Sequence, residues 1–399
     1  MIQGSPGTGK TFVTSLCVKA WRQRYGLSTD DELAIATPTH KAKKVVKDYL
    51  ESMDINIDVF TIHSILGKGL VTDEDEGKQR FTSSGKELPI HDYEIVWVDE
   101  FSMVGQDLCN DLFANANRLL FTGDIRQLLP VKETSFPVWD KFQNAFMGDE
   151  VAVLENPQRF DGDIADFVYA CIPYIDDNRC IDVDKYLGVS DQIKLSRKWF
   201  EAWKKSDFEG DESVILTYTN SDVDKLNERC REYILGSPGE PLQIGERVVA
   251  YQPLECTLGR QVANNGDMLT ITGIEPSQID TNYGEFDSLD YYFNGADSGV
   301  RQIAPWEAKR WDKFLSELKA KAKAKKIRWG SYYYHESLSA VFKPPYALTI
   351  HKSQGSGYKD VFVLNTFNWL KDGELQPRLH YVAASRAKQT LHYAKNING

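Results

Sequence analysis

Gly4-Ser5-Pro6-Gly7-Thr8-Gly9-Lys10-Thr11 is a complete G-x-x-x-x-G-K-[ST] loop opening onto the helix-like stretch Phe12–Arg24. No other short segment constrains a fold as tightly. Its glycines let consecutive backbone N–H groups turn inward on phosphate oxygens, its lysine reaches the β/γ-phosphates, and its threonine hydroxyl faces Mg²⁺. That geometry works only where a buried strand feeds the N-terminus of a helix. The loop predicts a nucleoside triphosphate site, with Gly4, Gly7, Thr8, Gly9, Lys10 and Thr11 around the phosphates and Thr11 at the metal. Only Ile2-Gln3 lie between Met1 and the loop, so the feeding strand is expected to be short.

The 399 residues give room for two or three domains, and 42% hydrophobic with 26% charged residues is an ordinary globular balance. No apolar run approaches the roughly 20 residues that span a bilayer. The expectation is a cytoplasmic protein, in the host if viral, without membrane attachment and monomeric. Six cysteines show no C-x-x-C pair and no histidine at zinc-ligand spacing, which reads as reduced structural thiols. The net charge of −11 argues against a chain coated in nucleic acid, but it says little about one groove. Between Lys309 and Arg328, nine Lys/Arg stand against Asp312 and Glu317, a local charge of +7. A solvated helix and a nucleic-acid contact surface are both compatible with that run.

Through the first 160 residues, short apolar runs (Leu33–Thr37, Ile95–Val98, Arg118–Thr122, Val151–Leu154) alternate with helical patterns (His40–Glu51, Gln106–Ala116). This predicts a parallel sheet covered on both faces. Gly67–Asp92 breaks the pattern, reading as a polar, strand-poor excursion with Phe81 isolated among charges. A second α/β pattern opens at Val214–Tyr218, is interrupted by a β-rich block and the basic helix, and resumes after Pro344-Pro345 with Tyr346–His351 and Asp360–Leu364. The expected organisation is a first domain over 1–160 with an excursion at 67–92, a second over 161–235 and 346–399, and an insertion at 236–345.

Val96-Trp97-Val98-Asp99-Glu100 ends a buried strand with two carboxylates, one suited to hold Mg²⁺ and one to orient or deprotonate an attacking water. With Leu119-Leu120-Phe121-Thr122-Gly123-Asp124-x-x-Gln127-Leu128-x-Pro130-Val131, this segment resembles motifs II and III of superfamily 1 helicases. Thr37-Pro38-Thr39-His40 resembles motif Ia, Thr61-Ile62-His63-Ser64 motif Ib, and Glu155-Asn156-Pro157-Gln158-Arg159 the motif carrying an arginine finger. Thr349-Ile350-His351-Lys352-Ser353-Gln354-Gly355 resembles motif V and Tyr381-Val382-Ala383-Ala384-Ser385-Arg386-Ala387 motif VI. The wording of motifs Ia and Ib resembles that of the 5′→3′, RecD-like branch.

The resemblance implies two RecA-like parallel-sheet domains, with a small pin insertion in the first and a β-barrel-plus-helix insertion in the second. It implies an ATP- and Mg²⁺-dependent 5′→3′ DNA helicase, with Lys10, Asp99, Glu100, Gln127, Arg159 and Arg386 in catalysis and Gln354 and Gly355 at the nucleotide. Thr37, Pro38, Thr39, His40, Thr61, His63, Ser64, Thr349 and His351 would meet single-stranded DNA, and Phe81 would be the pin's aromatic at a fork junction. For His63 and Phe81 a local core role is the competing reading. Single-strand-binding proteins or replisome components are the partners such an enzyme would meet. The family's helix with an adenine-reading Gln would lie upstream of the loop and has no counterpart in these residues. Alternatives are an RNA helicase of the same superfamily and a nucleic-acid-binding scaffold without turnover; the intact Lys10, Asp99, Glu100, Gln127, Arg159 and Arg386 weigh against the scaffold.

Overall fold

The computed structural model describes residues 1–25, 32–83, 88–130, 133–146, 151–156, 158, 160–188, 190–196, 198–208, 212–236, 241–293 and 297–394. They form two compact units. One contains two parallel sheets; the other joins the hairpin at 68–83 to Asn227–Pro345.

The first sheet has six parallel strands in the order Val59–Thr61, Leu33–Thr37, Ile95–Val98, Arg118–Gly123, Ile2–Gly4 and Ala152–Leu154. Leu33–Thr37 and Ile95–Val98 are buried at every position, as continuous apolar runs covered on both faces must be. The strand that feeds the phosphate loop is short, yet it pairs on both sides, Ile2 with Thr122 and Ala152. The second sheet orders Ala347–Thr349, Ser213–Thr217, Tyr358–Leu364, Ala387–Ala394 and Ile193–Leu195, again all parallel. Helices Gly162–Asp176 and Leu375–Ala384 pack together over it, around Phe167, Val168, Leu379 and Val382. These are two RecA-like α/β domains, as the motif order implied.

In the other unit, Val300–Ile303, Gly284–Phe293, Met268–Thr281, Arg247–Ala250 and Phe342–Lys343 make a five-stranded antiparallel sheet. Its edges approach each other, with Ala340 N donating to Arg301 O at 2.8 Å. A buried bidentate pair, Arg231 to Glu246 at 2.8 and 2.9 Å, ties the sheet to the helix Asn220–Leu235. Losing either partner would strand a buried charge, at a cost of about 3–5 kcal/mol.

Two expectations change. The excursion at 67–92 is not strand-poor: Lys68–Asp73 and Lys78–Ser83 pair antiparallel over six positions. Its strands lack a period-2 apolar pattern, and Leu70, Val71 and Phe81 are exposed. In space the hairpin also belongs with Asn227–Pro345, not with the first sheet. Its turn is held there. Glu74 Oε2 and Oε1 accept from Trp329 N (2.5 Å) and Gly330 N (2.9 Å), capping the helix Trp329–Ser337, and Tyr333 Oη donates to Gly77 O at 3.0 Å. Gly77 has φ +64°, and a Cβ there would meet the Trp329 ring at 2.1 Å, so only glycine fits.

Candidate nucleotide site and its coupling to the second sheet

The loop Gly4–Thr11 runs from the strand Ile2–Gly4 into the helix Lys10–Tyr25. Gly7 and Gly9 have φ of +81° and +83°, the left-handed turns that aim successive N–H groups inward. A Cβ on Gly4 would lie 2.5 Å from the Thr8 hydroxyl, which donates to Ser5 O at 2.8 Å and braces the loop. Lys10 is buried, and its Nζ donates to Gly4 O (2.9 Å) and Ser5 O (3.3 Å). The ammonium is therefore already held inside the loop that phosphates would enter. Gln158 N donates to Gly7 O at 2.6 Å, bringing its segment against the loop; Arg159 lies outside the described residues.

Asp99 continues the ladder beyond Ile95–Val98, its N–H reaching Ala36 O at 2.9 Å. The next residue, Glu100, adopts the left-handed region (φ +52°), uncommon for a side chain with a Cβ, and turns its carboxylate away from the strand. Asp99 is wholly buried and accepts from the Thr122 hydroxyl at 2.5 Å. Burial, followed by the Glu100 charge, raises its pKa to about 6, and Thr122 and Lys10 oppose the rise. No group of three or more metal-ligating side chains occurs among the described residues. One buried carboxylate and one loop hydroxyl, Thr11, suit a metal held largely by phosphates and water, as Mg²⁺ is, and not an all-protein cage.

A chain of neutral amides links this site to the second sheet. Gln127 Nε2 donates to Glu100 Oε2 at 3.3 Å, and Gln354 Nε2 donates to Gln127 Oε1 at 3.2 Å. The loop carrying Gln127 is clamped from the helix Leu375–Ala384. Arg378 Nη1 donates to Ile125 O (2.6 Å) and Gln127 O (2.8 Å), and Tyr381 Oη donates to Asp124 Oδ2 at 2.8 Å. Burial raises the Asp124 pKa and, more strongly, that of Tyr381, which fixes the phenol as donor. Arg386 is buried with its guanidinium donating to Val382 O (3.1 Å) in the helix Leu375–Ala384, to Ser385 Oγ (2.8 Å) at that helix's end, and to Ser356 O (3.1 Å) in the turn before strand Tyr358–Leu364. Gly355 is left-handed at φ +77° beside Gln354.

The candidate nucleic-acid residues gather at the carboxyl ends of strands, but most of their hydroxyls are engaged internally. Thr37 is fully buried and donates to Thr39 O (3.1 Å) and Phe60 O (3.3 Å), so its hydroxyl is a strut and not an exposed donor. Thr39, beside the half-buried Pro38, caps the helix beginning at His40 by accepting from Ala42 N, and Thr61 with Ser64 forms a capping box around His63. Thr349 Oγ1 accepts from Lys352 N at 3.2 Å, and His351 sits 6.1 Å from the Tyr218 ring with its pKa lowered by burial. Thr37 faces Thr61 in register, as Thr217 faces Thr349 on the second sheet. Phe81 is not at the hairpin tip: it pairs with Leu70, four positions from the turn end at Gly77, and is 46% exposed.

The sequence reading missed Thr122, Asp124, Arg378 and Tyr381. Thr122, Asp124 and Tyr381 lay inside the recognised motifs; a lone helical arginine such as Arg378 carried no signal.

The family profile described as "AAA domain" matches residues 1–133, and "UvrD-like helicase C-terminal domain" matches 344–392. The ATP-dependent DNA helicase dda of Enterobacteria phage T4 is 25% identical over 429 aligned positions, covering 98% of this chain and 93% of the phage protein. In its two profile matches and its phage T4 relative, the chain is similar to superfamily 1 helicases. An uncharacterized mimivirus protein, R530 of Acanthamoeba polyphaga mimivirus, is 25% identical over 258 positions, 58% of this chain; the match spans about half of that relative's length (51%). The helicase fold is shared with solved structures. Pif1 from Candida albicans superposes with a TM-score of 0.51 at 16% identity, covering 99% of this chain and 90% of that one. Bacteroides Pif1 in complex with ADP-AlF3 and single-stranded DNA gives 0.51 at 16%, covering 99% and 88%.

Proposed function

We propose that this chain is an ATP-hydrolysing DNA helicase that moves 5′→3′ on single-stranded DNA and separates duplexes at forks. The observation that carries the reading is the hydrogen-bonded run Glu100, Gln127, Gln354, which joins the acidic end of strand Ile95–Val98 to the loop after strand Ala347–Thr349, beside the Asp99 carboxylate on which the Lys10 charge acts.

Lys10 exchanges its two loop carbonyls for β/γ-phosphate oxygens. Asp99 and Thr11 would hold Mg²⁺, which would supply positive charge against the phosphate oxygens. Glu100 orients the attacking water and takes its proton, and Gln127 reports the γ-phosphate because its neutral amide can serve water or phosphoryl oxygen. Arg159 and Arg386 supply positive charge to the transferring phosphoryl group. For Arg386 this requires release from Ser356 O and Val382 O, which couples hydrolysis to movement of the second sheet.

On the DNA side, the capped turns at Thr39, Thr61–Ser64 and Thr349, with Pro38, His40, His63 and His351 beside them, line the carboxyl edges of both sheets. Alternating grip between the two edges moves the strand. Phe81, with its cross-strand partner Leu70, offers an apolar face to a parting base pair. The partners named from the resemblance, single-strand-binding proteins and replisome components, belong to this reading. Supporting it are the T4 relative's description as an ATP-dependent DNA helicase and the Pif1 structures described with forked and single-stranded DNA.

The test is ATP hydrolysis with and without single-stranded DNA or RNA, alongside unwinding of duplexes bearing only a 5′ or only a 3′ tail. DNA-stimulated turnover and opening of the 5′-tailed substrate are expected. RNA-only stimulation, or preference for the 3′ tail, overturns the assignment.

A further inference from the structure

The helix Ala308–Lys323 packs one face inward through Trp311, Leu318 and Ala322, against Phe286 and Ile279 on one side and Trp329 and Tyr332 on the other. At 100° per residue, Lys309, Lys313, Ser316, Ala320 and Lys323 fall on the opposite ridge, and all five are exposed. The helix ends in a Schellman turn, with Lys326 N on Lys321 O and Lys325 N on Ala322 O, both at 2.9 Å. The left-handed position of that turn, normally glycine, is Lys325, with φ +54°. The sequence thus keeps a cation where the backbone favours a residue without one. Lys326 and Arg328 extend the run.

The nine cations divide in two. Arg310 pairs with Glu307 and lies over Phe286, Lys319 lies over Tyr332 and Lys321 over Tyr283. Lys309, Lys313, Lys323, Lys325, Lys326 and Arg328 have no ion-pair partner among the described residues, in a chain whose net charge is −11. Six like charges in one short span, unpaired where acids are in excess, imply an anion from outside.

We propose that this ridge is a second nucleic-acid site, for the backbone of double-stranded DNA, distinct from the single-strand path along the sheets. Lys309 to Lys323 spans about 21 Å of helix axis, comparable to about six base pairs of duplex, whose phosphates place one charge per about 1.7 Å of axis. None of the five ridge positions is aromatic, and the exposed Trp306 just before Lys309 is tied by its indole N–H to Asp287 Oδ2 at 3.0 Å, whereas single strands are held by rings on which bases stack. Three lysines spaced along one helix ridge, continued by Lys325, Lys326 and Arg328 past its end, suit a rigid phosphate backbone read without regard to sequence.

The test is binding of a blunt-ended duplex, with no single-stranded tail, followed by fluorescence anisotropy over a salt series. K309Q/K313Q/K323Q and, separately, K325Q/K326Q/R328Q keep helix-compatible side chains. Each set is expected to weaken duplex binding and flatten the slope of log K against log salt by about 0.9 per lost contact, while single-strand-stimulated ATP hydrolysis stays at the wild-type level. An unchanged slope in both sets overturns the proposal, as does a wild-type protein that does not bind blunt duplex. Equal weakening on an oligo-dT strand would assign the ridge to the single-strand path instead and equally overturns it. Because ATP turnover is read in parallel, failure here is distinguishable from failure of the helicase assignment.

Discussion

Tyr381 donates its hydroxyl to Asp124 Oδ2 at 2.8 Å, joining a helix over the second sheet to the loop that follows strand Arg118–Gly123 of the first, with both groups buried. Together with Arg378 on the carbonyls of Ile125 and Gln127, this bond sets where Gln127 stands relative to Glu100.

Tyr381→Phe should therefore cost about 1–3 kcal/mol of stability, because the buried Asp124 carboxyl loses the donor to Oδ2 and keeps only Arg126 N on Oδ1. Burial already raises the Asp124 pKa, so its neutral form favours the fold, and stability from this group falls as pH rises through its folded value. Removing the donor raises that pKa further, so the deficit should grow with pH. Denaturant titrations from acid to neutral pH test this; a constant deficit contradicts it.

Lys10→Ala is expected to abolish turnover, and Glu100→Gln to retain nucleotide binding while losing hydrolysis. Binding of a fluorescent nucleotide and steady-state ATP hydrolysis separate the two. Ordinary DNA-stimulated turnover in Glu100→Gln would remove this residue from the role of base.

With the Asp99 pKa near 6, the nucleotide-free fold loses this group's contribution as pH climbs from about 4 past 6. Metal capture has the opposite sign, since it needs the carboxylate. Mg²⁺-dependent nucleotide binding should weaken as pH falls below about 6 and level off above it, with Asp99→Asn removing the dependence. A flat wild-type profile argues against Asp99 as the metal's carboxylate.

Arg386→Ala should lower kcat by roughly 10³-fold or more with little change in ATP affinity, if its charge meets the phosphoryl group only in the transition state. Arg159→Ala carries the same expectation. Near-normal kcat in either variant excludes that residue.

At the hairpin turn, Gly77→Ala and Glu74→Gln should both loosen the hold on Trp329–Ser337, the first by a clash and the second by weakening a charged cap. Unwinding per ATP hydrolysed is expected to fall while DNA-stimulated hydrolysis persists, and Phe81→Ala should do likewise. Equal loss of both activities would make these residues merely structural.

Much of this was legible in the sequence for a definite reason. Strands Leu33–Thr37 and Ile95–Val98 are buried on both faces, so they read as unbroken apolar runs with sharp limits. The phosphate loop and Asp99-Glu100 are fixed by local backbone geometry, which short motifs record. The hairpin at 68–83 was not legible because its stability comes from pairing and from contacts near residue 330, far away in sequence. The engagement of Thr37 was hidden for a similar reason, since one of its acceptors, Phe60 O, lies on a neighbouring strand. Arg378 gave no hint: its acceptors are backbone carbonyls, which look alike in every sequence.

The join between Gln127 and Gln354 is made of two uncharged amides at 3.2 Å. A neutral hydrogen bond nets only about 1 kcal/mol, close to thermal energy, whereas a buried ion pair would cost several times more to break. Such a join can part and re-form many times within one turnover, and neither side titrates at physiological pH. It works as a clutch instead of a lock, so the phosphate on the nucleotide, and not the strength of the join, decides how long the two sheets travel together.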